Sequence, residues 1–265
     1  GASAEHLHFA PPAPPAPLHR SARGGEASPP AGEGYSGTPA EDGGSGKVYM
    51  VRAGLFDNVD TVIHWHPASV NAADPASTLA NRSAKFTFSG VSSHAASAPE
   101  RGRSALDAVD SMNFMVNLLR QHVPASTRLH YVITDGGSAP NVVPNKAQSF
   151  YYVRHPDESS LRAIWDRVVA TAEAAALGTS TTMSYEVIHG NYSVLPNDTL
   201  AKIMHKNLSA VGGVHYTKTD LAFANEIAKT LPDDALLAEK AAQIKPYTAG
   251  VRGNGSTDVG DVSWT

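Results

Sequence analysis

The stretch KFTFSGVSSHAASAPERGRSALDAVDSMNFMVNLLRQH, residues 85–122, determines the fold of this chain. Its first residues, Lys85–Ser89, alternate polar and apolar side chains, which predicts a half-buried strand. Its second half, Ser104–His122, predicts a helix with a single apolar stripe. The stripe consists of Leu106, Val109, Met112, Val116 and Leu119. A bend rich in serine and glycine joins the two elements, so that the helix can pack against the strand.

The same alternation of elements continues downstream. Thr127–Thr134 and Gln148–His155 predict two further strands, which are separated by glycine and proline turn signals. A helix is predicted from Asp157 to about Leu177, and Thr181–His189 predicts the fourth strand. The order strand, helix, strand, strand, helix, strand is that of the split ferredoxin-like unit. We therefore expect a four-stranded antiparallel sheet with two helices on one face.

The flanking segments predict an α/β scaffold around this unit. Residues 37–78 predict a glycine-rich loop, a helix from Lys47 to about Ala53 and a short strand from Val59 to His64. Residues 191–265 predict further helices, which are an amphipathic helix containing Leu200, Ile203 and Leu208, a helix over Lys218–Lys229, and a charged helix near Asp233–Gln243. We expect one domain from residues 37–78 and 191–265, and a second domain from residues 79–190.

Residues 1–36 differ in composition from the rest of the chain. They are rich in proline, alanine, glycine and arginine, and they contain few large apolar residues. Such a segment buries too little apolar area to offset the entropy of ordering it. We expect a disordered tail, and the alternative functions of a linker or of a proline-rich ligand for a partner stay open.

Composition excludes several classes of partner and site. The net charge of −4 gives no indication of a nucleic acid partner. No apolar run approaches the length that spans a bilayer, and the first residues do not resemble a secretory signal. A soluble protein is therefore expected, with the cytoplasm as the default location. The absence of cysteine excludes disulfides, thiolate metal sites and cysteine nucleophiles.

Two short motifs contain the residue types that bind a hydrolytic metal ion. The stretch GTPAEDGGSG, residues 37–46, places two adjacent carboxylates before a glycine-rich loop, and HWHP follows at residues 64–67. Carboxylate and imidazole groups bind zinc, and a further carboxylate beside the metal can act as a general base. These motifs indicate a metallohydrolase.

The chain resembles the two-metal metallopeptidase and amidohydrolase family that includes aminoacylases and glutamate carboxypeptidases. The resemblance runs from about Gly37 to Thr265. It rests on GTPAEDGGSGKVYMVRAGLFDNVDTVIHWHP (37–67), SGVSSHAASAPERGRSALDAVD (89–110), GSAPNVVPNKAQSFYYVRHP (137–156) and GNGSTDVGDVSW (253–264). It implies an incomplete α/β catalytic scaffold with an inserted α+β ferredoxin-like domain, which serves as lid and dimerisation domain. It also implies a homodimer formed through that lid.

The resemblance assigns the metal chemistry to the first two motifs. Glu41 matches the general base, Asp42 matches the adjacent metal ligand, and His66 matches a metal-binding histidine. His64 is the weaker ligand candidate and suits a pocket or packing role. A solvated loop carboxylate remains the alternative for Glu41.

The resemblance assigns substrate contacts to the lid. His94 matches a histidine that reaches across the dimer and donates to the oxyanion of the tetrahedral intermediate. Asn141 and Arg154 match residues that bind the substrate, and the planar guanidinium of Arg154 suits a carboxylate. The alternatives are a surface loop histidine for His94 and an exposed strand-end charge for Arg154. Gly255–Asp258 resembles a loop that borders the pocket, and Asp258 is not expected to bind metal.

The chain departs from the family pattern in its ligand set. The family has a histidine and a cysteine ligand upstream of the base, where residues 1–36 stand here, and its last metal-binding histidine is expected beyond Thr265. The resemblance implies metal-dependent hydrolysis of a small-molecule amide, such as an N-acyl or aminobenzoyl amino acid, with two zinc or manganese ions. The alternative is a catalytically silent fragment that acts as a dimerising or substrate-binding module.

Overall fold

The computed structural model describes residues 37–68, 70–231 and 238–265, without the side chains of Asp42, Ala238 and Glu239. The strands are β1 (Ala80–Ser89), β2 (Arg128–Asp135), β3 (Lys146–His155) and β4 (Thr182–Asn191). The helices are α1 (Glu41–Gly44), α2 (Gly46–Arg52), α3 (Ala105–Leu119), α4 (Glu158–Thr179), α5 (Asp198–Val211), α6 (Lys218–Ala228) and α7 (Val259–Ser263). Short 3₁₀ turns cover Pro99–Arg101, Arg120–His122 and Ala238–Ala242.

The four strands form one antiparallel sheet in the order β2-β3-β1-β4. Helices α3 and α4 pack against each other and against one face of this sheet. The core between them contains Phe86, Met112, Tyr151 and Trp165, which are all buried. The predicted order of elements and the antiparallel sheet are confirmed. The fold forms because the apolar stripes of both helices pack against the apolar face of the strands.

The two core helices begin where the sequence predicts. Ser104 precedes α3, and its side chain accepts a hydrogen bond from the backbone N–H of Asp107. Asp157 precedes α4 and accepts from the N–H of Ser160 at 2.7 Å. The hydroxyl of Ser159 also donates to this carboxylate, and these hydrogen bonds lower the pKa of Asp157 to about 2. Both side chains satisfy N–H groups that the first helical turn leaves without partners.

A β-bulge interrupts the pairing of β1 with β4. Ser83 pairs with His189 and the next residue, Ala84, pairs with Val187, so Ile188 is an extra residue in β4. Residues Met183, Tyr185 and Val187 lie opposite Phe88, Phe86 and Ala84 on the helix-covered face. His189, which follows the extra residue, lies instead on the helix-free face with Ser83.

Outside the sheet, some predictions are confirmed and others need correction. Helices α2, α5 and α6 match the predicted helices closely. The strand predicted over Val59–His64 is wrong, because no described segment pairs with it and Ile63 is 70% exposed. Strand β1 begins five residues before the predicted Lys85. The charged helix predicted near Asp233–Gln243 is described only as the turn Ala238–Ala242, and residues 232–237 lie outside the described residues.

The tail predicted over residues 1–36 also lies outside the described residues. In the part of the chain that the structure describes, none of the helices has the length and apolar character to cross a bilayer. The predicted domain limits, near residues 79 and 190, remain predictions.

Candidate functional site

Two rows of polar side chains cross the helix-free face of the sheet. Because side chains alternate along a strand, residues that pair across β3, β1 and β4 share one face. One row is Arg154, Asn81 and Asn191, and the next is Tyr152, Ser83 and His189. Strand pairing therefore places an arginine, two amides, a phenol and an imidazole at one end of the sheet.

Segments from both ends of the described chain lie over these rows. Lys47 in α2 forms an ion pair with Asp258, with its Nζ 2.8 Å from Oδ1, and the Lys47 backbone N–H donates to Oδ2 at 2.9 Å. Asn191 Nδ2 donates to the carbonyl of Thr257 at 3.1 Å. Between these segments and the sheet lies a cavity of about 120 Å³. Its lining includes Glu41, Asn81, Tyr152, Arg154, His189 and Ser256.

The cavity contains buried polar atoms without protein partners. Among the described residues, Asn81 Oδ1, Arg154 Nε and Ser256 Oγ are buried and form no hydrogen bond. Arg154 also forms no ion pair with a described carboxylate, and its guanidinium carbon lies 5.3 Å from the centre of the Tyr152 ring. Buried polar groups normally have partners, since an unsatisfied one costs about 1–3 kcal/mol. The arrangement therefore suits a polar ligand with an anionic group.

His189 is hydrogen-bonded at both ring nitrogens. Its Nδ1 lies 3.2 Å from Ser45 Oγ, and its Nε2 lies 3.0 Å from the Tyr152 hydroxyl. Burial lowers the pKa of His189, and the nearby Arg154 cation lowers it further, although Asp258 opposes this shift. The imidazole is therefore neutral at pH 7, with one nitrogen that donates and one that accepts.

The described donors do not fit a metal centre. Within residues 37–68, 70–231 and 238–265, no three histidine, aspartate or glutamate groups come together as a metal site. Hydrolytic zinc normally has three protein ligands. His66 is exposed, and its Nδ1 lies 2.8 Å from the carbonyl of Pro67. The side chain of Asp42 lies outside the described residues. Burial, Lys47 and His66 lower the pKa of His64.

His94 and Asn141 lie at the opposite end of the sheet from Arg154. Their loops are paired, since the Ala95 N–H donates to the Asn141 carbonyl at 3.0 Å. The strand from Lys146 to Arg154 is about 26 Å long at about 3.3 Å per residue. The structure thus brings Glu41 together with Arg154, and His94 together with Asn141, as two separate groups within one chain.

The His94 side chain has a defined hydrogen-bonding state. Its Nδ1 accepts from the backbone N–H groups of Ala96 and Ser97, each at 3.2 Å. An Nδ1 that accepts cannot carry a proton, so the proton of the neutral ring is on Nε2. His94 is exposed, so this Nε2–H is a free donor in the described structure.

Sequence reasoning missed four polar residues of the cavity, namely Asn81, Tyr152, His189 and Asn191. The signal for Tyr152 was present, because it precedes Arg154 by two residues on the same strand and so shares its face. The positions of Asn81 and His189 depend on pairing register, which a single sequence does not specify.

The fold is shared with a known class of hydrolases. Residues 80–180 match the M20 peptidase dimerisation domain. The chain belongs to the M20 family of amidohydrolases and peptidases. It is 40% identical over 255 residues to one of the two subunits of the p-aminobenzoyl-glutamate hydrolase of Escherichia coli (strain K12), and the match covers 87% of this chain and 53% of that protein.

A further relative and a solved structure are also similar to this chain. The Xaa-Arg dipeptidase of Mus musculus is 36% identical over 177 residues, which cover 66% of this chain and 41% of that protein. The crystal structure of an aminobenzoyl-glutamate utilization protein from Klebsiella pneumoniae has the same fold, with a TM-score of 0.54 at 22% identity, and the match covers 84% of this chain and 50% of that one. The chain thus spans about half the length of the relatives it matches.

Proposed function

We propose that this chain binds the carboxylate-bearing part of an amide substrate of the N-acyl or aminobenzoyl amino acid class, such as p-aminobenzoyl-glutamate. The proposed reaction is hydrolysis of the amide bond, and Asp42 and His66 are the residues that would help to hold a zinc or manganese ion, which would supply water activation. The observation that carries the proposal is Arg154, whose buried Nε has no described protein partner in a cavity with two further unsatisfied atoms.

The chemistry of the cavity supports a carboxylate ligand. A guanidinium donates two parallel hydrogen bonds to a carboxylate, and such charge-assisted bonds are stronger than neutral ones. Arg154 is held in place by its strand and by the Tyr152 ring, so little side-chain entropy is lost when a ligand binds. Glu41 lines the same cavity, at the position that the family resemblance assigns to the base.

Replacing Arg154 with methionine is expected to weaken binding of p-aminobenzoyl-glutamate about 10- to 100-fold. The loss corresponds to hydrogen bonds with a charged group, worth about 1.5–3 kcal/mol. Isothermal titration calorimetry on the full chain measures it. The matched control is Arg120→Met, because Arg120 is exposed at the end of α3.

A second ligand separates carboxylate binding from general damage to the cavity. p-Aminobenzamide lacks the carboxylates, so its affinity is expected to be equal in the wild type and the Arg154→Met variant. Equal affinity of both proteins for p-aminobenzoyl-glutamate would contradict the proposal.

We further propose that the ferredoxin-like domain, residues 79–190, joins two copies of the chain. The edge strand β2 has no neighbour on its outer side among the described strands, and Val132 and Ile133 on it are exposed. On α3, Phe114 and Leu118 are exposed and lie one helical turn apart. An open apolar strand edge is a template for pairing with another chain, and the match to a dimerisation domain favours a second copy as occupant.

In such a dimer, residues from two chains would complete one site. The strand between Lys146 and Arg154, about 26 Å long, separates the loops of His94 and Asn141 from the cavity, so these two residues would serve the partner's cavity rather than their own. The free Nε2–H of His94 suits the proposed donation to a substrate oxygen.

The dimer is expected to have about twice the chain mass of 27.8 kDa in light scattering. Replacing Val132 with glutamate should lower this mass to that of one chain, because paired strand edges would bring two like charges together. The control is Leu177→Glu, on an exposed position of α4. A single-chain mass for the unaltered protein would contradict the proposed dimer.

The second candidate function is a catalytically silent module that binds substrate or dimerises. It is favoured by the absence of a three-ligand cluster among the described side chains. Elemental analysis and titration of the purified chain with zinc and manganese discriminate the two. Two tightly bound ions per chain would support hydrolysis, whereas retained ligand binding without bound metal would support the silent module.

A further inference from the structure

Ser45, His189 and Tyr152 form a polar chain that ends at the cavity. Ser45 lies between α1 and α2, His189 lies in β4 and Tyr152 lies in β3, so three distant parts of the sequence meet. The rings of Tyr152 and His189 are 5.1 Å apart at an angle of 64°. The polar chain is therefore a connection between the segment that contains Glu41 and the strand that contains Arg154.

The side chains of Tyr152 and His189 meet across β1, and the small residue between them leaves room for this contact. Strands β3 and β4 are separated by β1, which puts them about 10 Å apart. Ser83 lies between Tyr152 and His189 in the same row and is fully buried. Its short side chain leaves room for the two rings to meet above it.

Burial of Ser45 sets the direction of the hydrogen bonds. Ser45 is 3% exposed, and His189 Nδ1 is the only described partner of its hydroxyl. If Nδ1 carried the proton, the buried serine proton would have no acceptor, at a cost of about 1–3 kcal/mol. The serine hydroxyl therefore donates to Nδ1, and the ring proton is on Nε2, which donates to the Tyr152 oxygen.

The Tyr152 proton is then available to the cavity. We propose that Ser45 and His189 are positioning residues that turn the Tyr152 hydroxyl into a hydrogen-bond donor, so that Tyr152 and Arg154 bind the same carboxylate. This inference rests on the proposed function of the cavity, and it adds Tyr152 as a binding residue. With the opposite tautomer, Nε2 would accept the Tyr152 proton, and the oxygen lone pairs would face and repel an anion.

The backbone of Ser45 supports a functional role for the hydroxyl. Ser45 has φ 51° and ψ 52°, the left-handed conformation that few residues other than glycine adopt. Such conformations persist where the surroundings hold them in place. In this conformation, the serine hydroxyl reaches the buried Nδ1 of His189.

The tautomer of His189 can be measured without any ligand. In ¹⁵N NMR of the histidine-labelled full chain at pH 8, the wild type should show a protonated Nε2 and an unprotonated Nδ1 for His189. The resonance is identified among the 12 histidines by its loss in the His189→Gln variant. Ser45→Ala should give a mixture of tautomers. A protonated Nδ1 in the wild type would overturn the inference.

Binding measurements test whether Ser45 affects ligand affinity through the Tyr152 hydroxyl. Tyr152→Phe should weaken binding of p-aminobenzoyl-glutamate about 10-fold, and Ser45→Ala should weaken it about 3- to 10-fold. In the double variant, the loss should equal that of Tyr152→Phe alone, because without the hydroxyl the tautomer no longer matters. If the loss of affinity in the double variant equalled the product of the two single losses, the inference would be overturned. Tyr131→Phe on β2 is the matched control, since Tyr131 lies on the other face.

The two levels of the proposal fail in different ways. If Arg154→Met leaves binding unchanged, the proposed carboxylate site is wrong. If Arg154→Met weakens binding but Tyr152→Phe does not, the carboxylate site stands and the role of the polar chain is wrong. Tyr152→Phe removes a single oxygen at the edge of a cavity, so folding is expected to be preserved.

Discussion

Replacing Phe86 with alanine is expected to lower the free energy of unfolding by about 3–5 kcal/mol. Phe86 is fully buried at the centre of β1, and its ring lies 5.7 Å from that of Tyr151 and 5.9 Å from that of Trp165. Truncation would remove its transfer free energy and leave a cavity that the surrounding rings on β3, β4 and α4 cannot fill. Urea denaturation followed by circular dichroism measures the change.

The matched control for Phe86 is Leu177→Ala. Leu177 is 85% exposed near the end of α4, so truncation should change stability by no more than about 0.5 kcal/mol. If both variants unfolded at the same urea concentration, the sheet and helices would not form the packed core described above.

Replacing Lys47 with methionine is expected to cost a similar amount, about 3–5 kcal/mol, for an electrostatic reason. The Asp258 side chain is fully buried, and Lys47 is the cation within 4 Å of it among the described residues. Without the ammonium, a buried carboxylate keeps only the backbone N–H of residue 47 as a described partner. The same denaturation experiment measures this loss.

A second substitution separates the charge effect from lost packing. In the double variant Lys47→Met, Asp258→Asn, no charge is buried, so most of the lost stability should return. The exposed pair Lys229–Glu226 provides the control, since Lys229→Met should cost no more than about 1 kcal/mol. A double variant as unstable as Lys47→Met would show that packing of the lysine stem causes the loss.

The sheet and its two helices could be predicted because their signals are local. The helical stripe from Leu106 to Leu119 and the N-terminal residues Ser104 and Asp157 identify both helices within a few residues. The predicted β1 is too short, because the polar residues Asn81 and Ser83 interrupt its apolar pattern. Both residues are nevertheless buried on the helix-free face of the sheet.

The strand predicted over Val59–His64 shows the limit of such signals. Its residues have high β-propensity, but a strand forms only when a neighbour accepts and donates backbone hydrogen bonds. No described segment provides that neighbour. Similarly, the sequence identified Glu41 and Arg154 as site residues but could not place them at one cavity. The catalytic, metal-binding and substrate roles of the six predicted residues stay predictions.

Because Ile188 is an extra residue in β4, the number of residues in this strand matters more than their identity. On each side of Ile188, the side chains alternate between the two faces of the sheet. The alternation before Ile188 places Tyr185 in the core, and the alternation after it places His189 at the cavity. Losing any one residue between these two positions would shift the two alternations against each other, moving an imidazole into the apolar core or a phenol out of it. Substitutions at residue 188 preserve this relation and deletions destroy it. In evolutionary terms, the constraint at this position falls on insertions and deletions more than on amino acid identity.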